Sequence, residues 1–190
     1  MNKNRLESFS DGVIAIIITI MVLQLRVPLS ADISALYPLI PIFLGYVLSF
    51  IYVGIYWNNH HHLLKTVTRV SGGMLWANLI FLFWISLFPF TTAWMSENHF
   101  SSSPTALYGI VLLMAAISYL FLQRQIIKTE GNESALKIAI GHDYKGKITI
   151  LLYSIAICVA LAFPRVAQLL YVIVALIWLI PDRRIERTLD

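Results

Sequence analysis

Long apolar stretches recur from one end of this chain to the other, and they constrain its fold more than any other feature. A helix that crosses the hydrocarbon core of a bilayer needs about 20 mostly apolar residues. Six candidate runs lie at 5–28, 35–64, 71–95, 104–127, 147–163 and 166–181. No window alternates in polarity as a membrane strand does, so the sequence predicts an all-α integral membrane protein with six transmembrane helices.

The composition supports this class and argues against others. Hydrophobic residues make up 58% of the 190 residues and charged residues 13%, whereas a soluble domain carries about 25% charged residues. The net charge is +4, but the basic residues are scattered over several loops, so we expect no nucleic-acid partner. The one cysteine, Cys158, has no partner for an intramolecular disulfide. No cleavable signal peptide is evident, and the first run is expected to remain as a helix.

Local signals refine the expected organisation. Prolines stand near several predicted helix ends, at Pro28, Pro104, Pro164 and Pro181. The tight joint at 163–165 predicts a hairpin of the last two helices, and Pro89 is the residue that could interrupt the third. The polar segment 128–147 contains "SALKIAIG", which predicts a short amphipathic helix. We expect residues 1–190 to form a single transmembrane domain.

The distribution of positive charge predicts the orientation. With the N-terminus inside, the outer loops hold only Arg26 and Arg165 of the 14 basic residues. The cytoplasmic side then holds Lys3, Arg5, Lys65, Arg69, Arg124, Lys128, Lys137, Lys145, Lys147, Arg183, Arg184 and Arg187. Since cytoplasmic loops are enriched in Lys and Arg, both termini are predicted to be cytoplasmic.

Asp11 stands at the start of the first apolar run, and its depth in the membrane matters. The uncharged residues 12–25 span only about 20 Å as a helix, which is less than the roughly 30 Å of a hydrocarbon core. The helix must therefore begin near Leu6, which places Asp11 within its cytoplasmic third. An ionisable group at that depth is usually paired; the alternative is an interfacial aspartate favoured by the helix dipole.

Polar side chains of two other runs lie near the same cytoplasmic level. They are Trp57, Asn58, Asn59, His60, His61, His62, Trp76 and Asn78. We expect a pair formed by Ser10 and Asp11 to bond an imidazole of the second helix and an amide of the third. Three consecutive histidines point about 100° apart on a helix and cannot converge on one ion, so neither a metal site nor a cofactor is expected.

A helical wheel separates two directions on the first helix. With Ile16 as the reference, the residues within about 40° are Phe9, Gly12, Ile20, Leu23 and Val27. Thr19 lies within about 60° of Ile16, whereas Asp11 lies about 140° away, towards the expected neighbouring helices. The stripe is either ordinary helix packing or a functional surface, and the wheel alone favours packing.

A motif at the start of the chain carries a family resemblance. Arg5-x-x-x-Phe9-Ser10-Asp11 resembles the RxxxFSD signature of the endosomal/lysosomal potassium channel family (the transmembrane protein 175 type), in its prokaryotic branch. Trp57-x-x-His60, Asn78 and the "LFPF" of 87–90 follow in order, so the resemblance covers nearly the whole chain. It implies a homotetramer in a bacterial inner membrane, surrounded by lipid, with the first helices lining a central pore.

The resemblance also implies roles for particular residues. The family lacks a TVGYG filter, as this sequence does, and uses apolar rings instead; its narrowest position falls on Ile16. Further pore layers fall on Ile20 and Leu23, and a polar flanking position on Thr19. Because the wheel puts these residues on one stripe, a pore is favoured over plain packing.

Residues outside the stripe are implied to support it. In the family, the serine and aspartate of the motif bond a histidine of the second helix and nearby residues of the third. In this chain these are Ser10 and Asp11 with His60 and Asn78. "HHH" leaves open which of His60, His61 and His62 makes the bond.

The expected function is a leak-type potassium channel, not an enzyme. An apolar ring penalises the weakly hydrated potassium ion less than sodium, so selectivity over sodium should be modest. A secondary transporter or a proton-permeable channel is the alternative, although a transporter should show paired repeats and a midplane site. A membrane enzyme is disfavoured because no reactive serine motif surrounds Ser10, Asp11 and His60.

Overall fold

The computed structural model describes residues 2–131, 133–141 and 143–179, and the regular elements within them are all helical. The predicted all-α class is therefore confirmed. The helices are α1 (Lys3–Leu23), a 3₁₀ helix (Ile33–Leu39) continued by α2 (Ile40–Lys65), α3 (Gly72–Ser86), α4 (Phe88–Glu97), α5 (Ser102–Glu130), α6 (Ala135–Ile140), α7 (Tyr144–Ala160) and α8 (Pro164–Leu179). The predicted end of the last run at Pro181 and the basic residues Arg183, Arg184 and Arg187 lie outside the described residues.

Four helical segments of the described chain are long and apolar enough to cross a membrane. They are Lys3–Leu23, Ile33–Lys65, Gly72–Glu97 and Ser102–Glu130. The helix Pro164–Leu179 is apolar but shorter, and Tyr144–Ala160 has 17 residues. The structure therefore supports the first four predicted crossings, whereas crossings by the last two helices stay a prediction.

The first helix ends earlier than the predicted boundary near residue 28. The backbone N–H of Gln24 donates to the carbonyls of Met21 and Val22, and that of Leu25 donates to Val22. These tight terminal bonds close α1 at Leu23. Arg26 then reaches across to Glu97 at the end of α4, with 3.1 Å between guanidinium and carboxylate.

Three local features predicted from the sequence are confirmed: a break at Pro89, a short helix in the polar segment and a hairpin of the last two helices. α3 ends at Ser86 and α4 begins at Phe88, because Pro89 has no N–H to continue the bonding of the preceding turn. The short helix predicted in the polar segment is α6, and the Ser134 side chain caps it by accepting from the Lys137 N–H. α7 and α8 pack together across the turn before Pro164, which confirms the predicted hairpin.

The core of the subunit is built around α5, which packs against α3, α4, α7 and α8. Aromatic rings fill much of it: Tyr56 and Phe81 meet edge to face at 5.5 Å between centroids, and Tyr108 and Tyr171 at 5.7 Å. α1 packs against α2, α3 and α4 at one side of this bundle. One face of α1 is therefore left without a partner inside the subunit.

Candidate pore-lining face and its polar anchors

The face of α1 that packs against its own subunit is defined by five buried residues. They are Leu6, Ser10, Ile14, Ile17 and Met21. Their spacing of three and four residues places them on one side of a helix. This burial fixes which way the rest of α1 points.

The opposite side of α1 carries the stripe that the helical wheel identified. Ile16 is 60% exposed, Ile20 45% and Leu23 76%. A side chain added at Gly12 would meet no atom within 4 Å. We call Gly12, Ile16, Ile20 and Leu23 the apolar stripe. A contiguous apolar face left open by the subunit marks a surface that meets lipid or another protein chain.

Thr19 adds a polar oxygen at the edge of this stripe. Its side chain is exposed, and its hydroxyl donates to the carbonyl of Ala15 at 2.9 Å. Because that bond uses the hydroxyl proton, the oxygen lone pairs remain available to accept from water or to face a cation.

Three buried side chains from three helices form a hydrogen-bonded chain in the N-terminal half of α1. The amide of Asn78 in α3 donates to Ser10 Oγ at 3.0 Å, and Ser10 donates to the Leu6 carbonyl at 2.9 Å. His60 Nε2 in α2 lies 2.7 Å from Asn78 Oδ1. Since that oxygen can only accept, His60 donates through Nε2. Ser10, Asn78 and His60, which we call the anchor triad, are essentially inaccessible.

The anchor triad fixes α1 against α2 and α3. The His60 ring also stacks on Phe81, with 5.4 Å between centroids and 12° between planes. Removing one member would leave its buried neighbours without partners, at about 1–3 kcal/mol for each orphaned group. The triad therefore adds to the buried apolar residues of α1 in holding the rotation of the helix about its own axis.

Asp11 does not join the anchor triad, contrary to the expected bond with His60. It lies well inside α1, as predicted, but its side chain is exposed rather than turned towards the core. Its carboxylate accepts instead from the Trp57 indole at 3.0 Å. Successive helix residues point about 100° apart. When Ser10 faces α3, its neighbour Asp11 therefore points away from α3, to the side of α1 on which Trp57 of α2 lies.

The other histidines stay outside the triad. His60 is buried, while His61 stacks on Trp57 at 6.2 Å between centroids and lies beside His62. The described residues bring no group of three metal-ligating side chains together.

Two other residues of the opening motif lie apart from the anchor triad. Phe9 is 51% exposed. Arg5 is exposed near the start of α1, and its side chain makes no hydrogen bond or ion pair with the described residues. The motif therefore divides into one inward residue, Ser10, and three that face outwards.

Sequence reasoning missed a second polar cluster deep in the subunit. Ser49 Oγ of α2 lies 2.6 Å from the Thr92 hydroxyl of α4 and 3.0 Å from the Tyr108 hydroxyl of α5. All three side chains are buried. Ser49 and Tyr108 are isolated polar residues within apolar runs, and Thr92 belongs to the pair Thr91-Thr92 in another apolar run. Polar residues placed in this way are the signal that could have revealed the cluster.

Several known proteins are similar to this chain in sequence or in fold. The family described as endosomal/lysosomal potassium channel TMEM175 matches residues 5–89. A protein of Chryseobacterium sp. (strain P1-3), named potassium channel, is 54% identical over 189 residues, which cover 100% of this chain and 98% of that protein. One of Streptomyces collinus, also named potassium channel, is 33% identical over 138 residues, or 68% of this chain and 67% of that protein.

A solved structure shares the fold. It is the crystal structure of a lysosomal potassium-selective channel TMEM175 homolog from Chamaesiphon minutus, which superposes with a TM-score of 0.81 at 24% identity. The match covers 95% of this chain and 97% of that one. Since the likeness to the Chryseobacterium relative runs through the whole chain, this protein belongs to the TMEM175 family of endosomal/lysosomal potassium channels.

Proposed function

We propose that this chain is the subunit of a potassium channel in which four copies place α1 around a central pore. The observation that carries the proposal is the exposed apolar stripe on a helix whose other face is packed into its own subunit. The names of the bacterial relatives give the ion. Residues 1–190 then form one channel domain with both termini in the cytoplasm of a bacterial cell.

The proposed constriction is made by successive rings of Ile16, Ile20 and Leu23. A narrow apolar ring resists conduction because water leaves it readily and an ion must lose part of its hydration to pass. Potassium holds its water less tightly than sodium, so the ring favours potassium modestly. Four Thr19 oxygens beside the rings offset part of the lost hydration.

The anchor triad has a positioning role in this proposal. Rotating α1 by one residue, about 100°, would replace Ile16 at the axis by Ile17, which now packs in the core, or by the small Ala15. The bonds from Ser10 through Asn78 to His60 oppose that rotation. The motif serine therefore supports conduction without contacting the ion.

A proton-permeable channel is the second candidate. Mammalian relatives are named endosomal/lysosomal proton channel TMEM175; the human protein is 32% identical over 116 residues, 55% of this chain and 23% of that protein. A secondary transporter finds less support, because no Asp, Glu, Lys or Arg is buried among the described residues. Ionisable residues inside the membrane mark the substrate and proton pathways of transporters.

Recording from purified protein in planar bilayers tests the proposal. With a potassium chloride gradient, we expect single-channel steps whose current reverses near the potassium equilibrium potential. Native mass spectrometry of the same sample should give the mass of four chains. A reversal potential that follows an imposed pH gradient and ignores potassium would favour the proton channel. Ion flux without unitary steps would favour a transporter.

A further inference from the structure

The only basic residue of α1 that points along the apolar stripe is Arg5. Counting eleven residues back from Ile16 at 3.6 residues per turn places Arg5 within about 20° of the same direction. It lies about 16 Å nearer the cytoplasmic end at 1.5 Å per residue. Its side chain is exposed and has no hydrogen bond or ion pair with the described residues.

The neighbouring charges of α1 point elsewhere. Lys3 lies about 140° from Ile16, and its ammonium donates to the Lys65 carbonyl at 3.0 Å. Glu7 lies about 180° away and Asp11 about 140° away, and Asp11 already accepts from Trp57. No carboxylate of α1 therefore shares a face with Arg5, and the guanidinium charge there is not offset by this helix.

We propose that four Arg5 side chains form a ring of positive charge at the cytoplasmic mouth of the pore, and that this ring makes outward potassium current smaller than inward current. The inference rests on the proposed pore. Rings of acidic residues are the usual device of cation channels, so a basic ring at this end has the opposite effect. It lowers the local potassium concentration where ions enter from the cytoplasm and hinders entry from outside less.

Currents in excised inside-out patches with equal potassium chloride on both sides test the ring. At voltages of equal size and opposite sign, the ratio of outward to inward current should rise about two-fold in Arg5→Gln and further in Arg5→Glu. Raising the salt from about 0.15 M to about 1 M shortens the Debye length from about 8 to about 3 Å. The difference between parent and variants should therefore shrink in the concentrated salt, which a purely structural effect would not do.

Lys3→Gln is the matched control, because it removes the same charge from the same end of α1 at a position off the stripe. It should leave the current ratio at the parent value, and Arg5→Lys should keep it as well. The reversal potential with potassium opposite sodium should not change in any of these variants, since the apolar stripe is intact.

A cysteine variant tests the charge at position 5 in channels that have already assembled, because the same channels are recorded before and after modification. In a Cys158→Ala background, Arg5→Cys is modified from the cytoplasmic side during one recording. A negatively charged thiol reagent should raise outward current, and a positively charged reagent should lower it. The proposal is overturned if both reagents, and Arg5→Glu, leave the current ratio unchanged while potassium current persists, or if Lys3→Gln matches Arg5→Gln. Absence of potassium current in the parent would instead contradict the proposed function.

Discussion

α1 and α5 are both long, apolar helices, yet they use their apolar surface differently. In the most apolar stretch of α1, 28% of the residues are buried within the subunit, compared with 56% in α5. α5 packs against α3, α4, α7 and α8, hydrogen-bonds α2 through Tyr108 and forms the core, whereas α1 turns its apolar stripe outwards. Similar apolarity therefore does not show how much of a helix is buried in its own subunit. The segment Ile33–Lys65, which contains α2, is buried to the same 28% as α1, so the direction of the apolar stripe, and not burial alone, makes α1 the candidate pore helix.

The two helices also differ in where their polar side chains lie and in what these side chains bond. Tyr108 of α5 belongs to a hydroxyl cluster wholly inside the bundle. Ser10 of α1 ties the inner face of the helix to α3, while Thr19 leaves its oxygen exposed on the other side. Polar residues on α1 therefore separate into anchoring and exposed groups, and the predictions below test that separation.

The largest expected difference is all-or-none and concerns which end of α1 faces the cytoplasm. In a Cys158→Ala background, Ser101→Cys should react with a membrane-impermeant thiol reagent applied to intact cells, and Glu133→Cys should react only after lysis. The bias of positive charge towards one side predicts this result. The reverse pattern would place the anchor triad and Arg5 at the outer surface and overturn the orientation.

The anchor triad should matter more than the exposed carboxylate beside it. Asn78→Ala leaves the buried His60 Nε2–H without its acceptor, at about 1–3 kcal/mol, and removes the donor to Ser10, which keeps its bond to the Leu6 carbonyl. Asp11→Ala removes a bond at an exposed position and should cost about 0.5–1.5 kcal/mol. Thermal unfolding of the purified variants, followed by tryptophan fluorescence, shows which variant loses more stability, and we expect this to be Asn78→Ala. Equal melting temperatures for the two variants would mean that the anchor triad stabilises the packing of α1 no more than the bond between Asp11 and Trp57 does.

Two glycines compare the packing of the two helices directly. A Cβ at Gly109 of α5 would collide with the Tyr171 hydroxyl and lie 2.9 Å from Ile157 Cγ1. Gly109→Ala should therefore lower the free energy of unfolding by about 1–3 kcal/mol through overpacking. Gly12→Ala on α1 meets open space and should leave unfolding unchanged or slightly favoured, because alanine is the better helix former. Equal losses in chemical denaturation would show that Gly12 is packed too.

Much of the architecture followed from local patterns in the sequence. The long apolar runs predicted the first four crossing segments, and Pro89 predicted the break between α3 and α4. The period of the α-helix predicted that Ile16, Ile20 and Leu23 share a face, and the structure leaves that face exposed. These features depend on neighbours along the chain, which is why a single sequence contains them.

The pairing of the polar residues could not be predicted in the same way. Trp57 and His60 are three residues apart and both lie near the level of Asp11, so only the rotation of α2 decides which of them reaches it. In the structure Asp11 is hydrogen-bonded to Trp57, and His60 is hydrogen-bonded to Asn78. That rotation depends on contacts between helices far apart in sequence. The end of α1 at Leu23 was missed because Pro28 permits a stop without requiring one.

The most direct test of the central claim, that the apolar stripe lines the pore, is the reversal potential with potassium on one side of the membrane and sodium on the other. Ile16→Asn should widen and wet the constriction, so that conductance rises and the reversal potential moves towards zero. Val22→Asn is the matched control, because Val22 is 42% exposed on the same helix but points about 120° away from Ile16. We predict a parent-like reversal potential for Val22→Asn and a shifted one for Ile16→Asn. A reversal potential of Ile16→Asn equal to that of the parent would contradict the assignment of Ile16 to the constriction.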